Sequence, residues 1–232
     1  MKKMDAYRSH AYFTGLLFIT ATAAGGISLF FLGPLQTQDY LATLYPAGIQ
    51  LLTGVLFIVI MVVAVAAIPV VVFPVIKKHN EPLAIGYIVF RSLEAAAGLA
   101  LVISWLLLLA LSRLYTEAGM PDEGSYSLAG RLFMSANDGI NTVMAVIFSI
   151  GALMFYHILY YSRLIPRFLS VWGLLAALLY LTSGLLLFYT VIEPDSPLQV
   201  ALMLPVALQE IVMALWLIVK GFNPQLAAAE PQ

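Results

Sequence analysis

Apolar residues run along this chain in long blocks, without the alternation of a half-buried strand or the single apolar stripe of a surface helix. Six blocks reach spanning length, about Ala11 to Leu32, Ala47 to Val75, Leu83 to Leu111, Leu132 to Tyr161, Phe168 to Ile192 and Leu198 to Val219. A helix needs about 20 such residues to cross the hydrocarbon of a bilayer. A β-barrel would need short strands of alternating polarity, whereas these blocks are apolar on every face. The pattern predicts an all-α fold, a polytopic membrane helical bundle of six transmembrane helices. The second, third and fourth blocks exceed the minimum length, so their helices tilt, kink or extend past the hydrocarbon. Pro69 and Pro74 mark kinks or the exit of the second helix, because proline lacks the amide that a helix interior uses. The first block resembles a signal peptide, with Lys2, Lys3 and Arg8 ahead of it, but it continues at the length of a full span and reads as the first helix. The expected organisation is a tail over 1–10, a six-helix domain over 11–220 and a second tail over 221–232.

Composition narrows the function classes. With 62% hydrophobic residues and a net charge of -1, the chain cannot bury its apolar surface as an ordinary soluble globule and offers no basic stripe to nucleic acid. The absence of cysteine removes thiolate catalysis and Cys-ligated metals. No GxSxG elbow, HExxH pair, Walker loop or dinucleotide fingerprint is present, so no catalytic residues and no cofactor are assigned. His10, His79 and His157 show no metal-ligand spacing, and no metal is expected. Lys2, Lys3, Arg8, Lys77, Lys78, Arg163, Arg167 and Lys220 fall on one side of the six-span scheme, against Arg113 and Arg131 on the other. Cytoplasmic loops retain Lys and Arg, so both termini are expected in the cytoplasm. Asp39, Glu117, Asp122, Glu123, Glu193 and Asp195 then lie outside.

The longest loop, Ser112 to Gly130, holds Gly119, Pro121, Gly124 and Ser125 and reads as turns, a tether more readily than a lid. Tyr40, Tyr45, Tyr156, Tyr160, Tyr161, Trp172 and Tyr189 lie near the predicted interfaces, where amphipathic rings sit at headgroup depth. Thr20, Thr22, Gly25, Gly26 and Ser28 in the first helix, like Ala95, Ala96, Ala97 and Gly98 in the third, are small residues that mark helix contacts rather than a pore.

Charges inside the apolar blocks carry the functional signal. Arg91 and Glu94 are three residues apart, on one face of the third helix, where guanidinium and carboxylate can pair. The sixth helix carries Gln209 and Glu210. At about 1.5 Å of rise per residue, Glu94 and Glu210 reach similar depths near mid-membrane, with Arg91 about one turn from Glu94. A charge at that depth costs about 2.5 to 3.5 kcal/mol, so such groups face the bundle interior and find partners. One arginine neutralises one carboxylate and two are present; the surplus acid keeps a proton or is balanced by a cation or cationic ligand. The structural alternative is a buried pair plus a neutral glutamic acid, hydrogen-bonded to Gln209 or a backbone carbonyl and fixing helix packing. Asp138 and His157 are weaker candidates. An N-cap or a helix break near the outer end of the fourth helix accounts for Asp138, and an interfacial position accounts for His157. The stretches that begin at Glu94 and Glu210 resemble each other in helices of opposite direction, as an inverted repeat would, but apolar sequences match readily by chance.

Arg91-Ser-Leu-Glu94-Ala-Ala, Tyr160-Tyr-Ser-Arg-Leu-Ile-Pro166-Arg167-Phe-Leu and the segment from Glu210 through Ala214-Leu-Trp-Leu-Ile-Val-Lys220-Gly221-Phe222 resemble the bacterial membrane family called domain of unknown function 4386. The resemblance covers most of the chain and is clearest around Arg91, Glu94 and Glu210. It implies a multipass protein of the bacterial cytoplasmic membrane and carries no activity with it. The leading expectation is a protein that binds or transports a small or amphipathic molecule at a mid-membrane site of Arg91, Glu94, Glu210 and Gln209. Arg91 would hold Glu94 ionised or meet an anionic group, and Glu210 would exchange a proton or accept a cation. A structural or assembly subunit partnered with another membrane protein is the alternative, and a membrane-embedded enzyme acting on lipid is the third reading.

Overall fold

The computed structural model describes residues 2–37, 39–120 and 124–227. All regular structure among them is helical: α1 (Lys2–Phe31), a 3-10 turn (Gly33–Gln36), α2 (Tyr40–Thr43), α3 (Gly48–Ile76), α4 (Glu81–Glu117), α5 (Ser125–Ser162), α6 (Arg167–Phe188), α7 (Pro197–Val219) and α8 (Pro224–Ala227). Six of these, α1 and α3 to α7, are long and apolar enough to cross a membrane. The protein is a multipass membrane protein, and an even number of spans returns both ends of the chain to one side. Residues 2–10, expected as a tail, continue α1 as helix.

Local chemistry sets several helix ends. Asn80 caps α4 by accepting the Leu83 amide at 3.0 Å, with Pro82 and Glu81 in the first turn. Ser196 accepts from the Gln199 amide ahead of α7, whose first residue is Pro197. Pro69 and Pro74 both lie inside α3, which runs on to Ile76; neither is an exit. In α7, Pro205 likewise sits within the helix.

The expected turn over Ser112 to Gly130 is largely helix. Helix α4 continues to Glu117 and α5 begins at Ser125, which confines the connection to 118–124. Polar side chains extend the helix beyond the apolar block. Arg113 Nε donates to Glu117 at 2.7 Å, and the buried Ser112 hydroxyl donates to the Leu41 carbonyl at 2.6 Å while accepting the Tyr45 amide at 2.8 Å. The two Ser112 bonds also hold α2 against α4. Pro121, Asp122 and Glu123 lie outside the described residues.

The main helix packings form a closed ring: α1 against α3, α3 against α4, α4 against α5, α5 against α6, α6 against α7, and α7 back against α1. Glycines allow the closest approaches. A Cβ at Gly15 would lie 2.6 Å from the Ala214 carbonyl oxygen where α1 meets α7, and one at Gly173 would lie 2.5 Å from the Tyr156 ring where α6 meets α5. The interior is filled in two parts. One cluster, around Tyr87, Phe155, Leu159 and Leu217, closes the half nearer the termini, and a second, around Leu51, Val62, Leu101 and Trp105, fills the other half between α1, α3 and α4. The candidate site lies where the two parts meet.

Candidate functional site

Arg91 is 3% exposed and reaches two carboxylates. Its Nη1 lies 3.1 Å from Glu94 Oε2 one turn along α4, and its Nη2 lies 3.3 Å from Glu210 Oε1 on α7. Its Nε donates to the Tyr87 hydroxyl at 3.2 Å. The rings of Phe148, Phe18 and Tyr87 stand 5.0, 5.5 and 5.5 Å from the guanidinium carbon. Two anions and three π faces replace the water that a cation loses at this depth. On its other oxygen, Glu210 accepts a hydrogen bond from Thr22 of α1 at 3.4 Å. One guanidinium thus gathers α1, α4, α5 and α7 around it. With both carboxylates ionised the trio carries one net negative charge.

A cavity of about 220 Å³ opens on this trio and takes lining residues from all six spans. Arg91, Glu94 and Glu210 form its polar end, with Phe18 and Phe148 beside them. Along the helices the lining proceeds away from the termini to Gly25, Met61, Met144 and Met203, while Tyr180 comes from α6. The carboxylate side chains keep 12% and 13% of their surface, against 4% for Arg91, so the cavity meets acid more than base. On the terminal side of Phe18, which lines the cavity, lies a layer of stacked rings. Tyr87 stacks on Phe155 at 4.6 Å between centroids, and Phe18 stacks on Phe155 at 6.0 Å.

Gln209 stands beside the trio and serves different partners. It is wholly buried, accepts a hydrogen bond from the Tyr156 hydroxyl at 2.5 Å, and donates to the Leu169 carbonyl at 3.0 Å. Its amide therefore ties α7 to α5 and α6, and it does not line the cavity. Glu210 takes no bond from it among the described hydrogen bonds, so Gln209 is not the partner that the structural alternative named beside a backbone carbonyl. Tyr156, expected at the interface, is buried because its hydroxyl answers Gln209. Asp138 is exposed within the continuous helix α5; it neither caps nor breaks that helix, and it stands apart from the cavity. His157 is exposed with its ring against Tyr161 at 4.6 Å. Asp138, His157 and Glu210 are therefore not gathered into one cavity. Among the described residues no cluster of His, Asp and Glu could hold a metal ion.

Phe18, Tyr87, Phe148, Thr22 and Tyr156 complete the site and its support. Tyr87 precedes Arg91 by four residues, a helical spacing that puts both on one face and was readable from the sequence. Thr22 and Gly25, expected at a helix contact, also line the cavity, and Gly25 approaches α3 closely enough that a Cβ there would lie 3.0 Å from Met61 Sδ. The pairing of Tyr156 with Gln209 joins residues far apart in the chain and left no local signal.

A family model described as a domain of unknown function, DUF4386, matches residues 13–221. No curated protein and no solved structure matches the chain.

Proposed function

This chain belongs to the DUF4386 family, and from that premise we propose that it binds a small amphipathic cation in the mid-bundle cavity, with Glu210 and Glu94 as the anionic partners. One observation carries the reading: a single arginine, hydrogen-bonded to two carboxylates and a phenol, stands between acids that both keep surface toward an apolar cavity. Arg91 already faces two acids, a phenol and three rings, so an anionic ligand would have to displace a carboxylate or sit beside two of them. The surplus negative charge suits an ammonium group or a proton. The walls of Met61, Met144, Met203, Phe148 and Tyr180 suit a flat or flexible apolar body, because thioethers and rings adapt to irregular shapes. The volume is below the range of about 300 to 1,000 Å³ found for drug-sized ligands, which points to a small molecule.

Transport is the finer step of the proposal. The stacked rings of Tyr87, Phe155 and Phe18 on the terminal side support ligand entry from the opposite half, and exchange of the ligand for a proton on Glu210 would couple binding to proton movement. The excess of Lys and Arg at the terminal end supports placing that end in the cytoplasm of a bacterial cell. An assembly role with another membrane protein draws on the same charges but leaves the cavity without a purpose. A lipid-acting enzyme would need further reactive groups at the trio, and Asp138 and His157 stand elsewhere.

Calorimetric titration of the protein in nanodiscs with phenethylammonium tests the reading. Saturable binding is expected for the wild type, with loss of binding in Glu210→Gln at unchanged helical circular dichroism. Equal binding by the two proteins would sink it.

A further inference from the structure

A second concavity, of about 450 Å³, lies at the terminal end of the bundle, where the α5–α6 turn meets the end of α7. Arg163, Arg167 and Lys220 surround it, and Trp216 and Phe222 contribute its apolar wall. All three cations are exposed, and none is ion-paired among the described residues. Two other bases at this end are already engaged: Arg8 donates to the Ile218 and Val219 carbonyls at 2.8 and 2.9 Å, and Lys78 donates to the Tyr7 hydroxyl. Helix α6 starts at the groove with no side-chain cap, behind Pro166, so its first-turn amides add partial positive charge.

The groove has a fixed shape. The Asn223 amide donates to the Leu164 carbonyl at 2.9 Å, which fastens the segment after α7 to the α5–α6 turn. Arg163 ends α5 in the left-handed region at φ 54°, and Gly221 follows α7 at φ 79°. Arg167 is held over the Tyr160 ring at 5.4 Å. Next to the groove residues along the chain, at the ends of α5, α6 and α7, Tyr161, Phe168 and Val219 expose 70, 61 and 65% of their surface and supply an apolar margin.

We propose that this groove binds the headgroup of an anionic phospholipid of the adjoining leaflet, its phosphate between Arg163, Arg167 and Lys220 and its acyl chains along Tyr161, Phe168 and Val219. Three unpaired cations and a helix start supply the charge recognition, as basic pockets between spans do for anionic lipids. The apolar margin separates a lipid from a free phosphate, which would have no use for it. The site is independent of the central cavity.

Native mass spectrometry tests this on the full chain released from nanodiscs of phosphatidylcholine mixed with phosphatidylglycerol. The wild type is expected to retain a phosphatidylglycerol molecule, and the triple variant Arg163→Gln, Arg167→Gln, Lys220→Gln to lose that retention by more than about tenfold. A second triple variant, Lys2→Gln, Lys3→Gln, Lys77→Gln, removes the same charge from the same end outside the groove and is expected to retain the lipid. Melting temperatures of both variants establish that they fold. Equal retention by the groove variant overturns the proposal, as does equal loss in the second variant, which would mean diffuse surface charge. Displacement of the lipid by millimolar inorganic phosphate would assign the site to free phosphate and also overturn it.

Discussion

Arg91 shows how a charge is kept where lipid surrounds the bundle. Removing the guanidinium leaves two carboxylates facing each other across the cavity, and breaking a buried pair in this way costs about 3 to 5 kcal/mol. Arg91→Met is therefore expected to lower the melting temperature far more than Glu94→Gln does. Adding Glu94→Gln and Glu210→Gln to Arg91→Met should recover most of the loss, because a neutral, filled core is often as stable as a buried ion network. Thermal unfolding in detergent of the single and triple variants checks this; a triple variant no more stable than Arg91→Met would mean that the charges are not what the arginine balances. Tyr156→Phe leaves the Gln209 oxygen buried without its donor, an expected loss of about 1 to 3 kcal/mol by the same measurement. The charged trio was legible in the sequence because charges stand out in apolar blocks and their depth follows from helical rise. The Tyr156–Gln209 bond was not, since its partners belong to different spans and a tyrosine near the end of an apolar block looks like any interfacial ring.

At the scale of the helices, close approach and chain direction decide what holds. Gly173 of α6 faces the Tyr156 ring at a distance that excludes a methyl group. Gly173→Ala is expected to displace that ring and with it the Gln209 bond, at a cost of about 1 to 3 kcal/mol. Unchanged melting of this variant would show that α6 shifts instead. Between α3 and α4, burial and the neighbouring Lys78 hold the His79 imidazole below its ordinary range. The unfolded chain then takes up the proton at a higher pH than the folded one. This contribution to stability is full above about pH 6.5 and falls as the pH drops below it. The melting temperature followed from pH 7.5 to 5.5 should fall less steeply for His79→Gln than for the wild type. The spans themselves were readable as apolar blocks, but the ends of α4 and α5 were not. The Arg113–Glu117 pair and the buried Ser112 hydroxyl extend helix through residues whose composition reads as loop.

For the whole molecule, a ring of six helices around one polar cluster gives every span a share in the cavity, so its chemistry is global although its charges sit on two helices. The absence of cysteine makes orientation directly measurable. With the terminal end in the cytoplasm, a single cysteine at Glu117 should react with a membrane-impermeant maleimide in intact cells, and one at Lys77 only after lysis; the reverse pattern would invert the molecule. Ring closure and the place where the two interior clusters part could not be read from the chain, because each apolar block alone is compatible with many neighbours. The central claim, an acidic mid-bundle site for a small cation, is tested most directly by native mass spectrometry of what copurifies with the wild type and with Glu210→Gln from nanodiscs. A discrete small cationic species present on the wild type and missing from Glu210→Gln is the predicted result. Lipid alone on both proteins, or the same species on both, would contradict it.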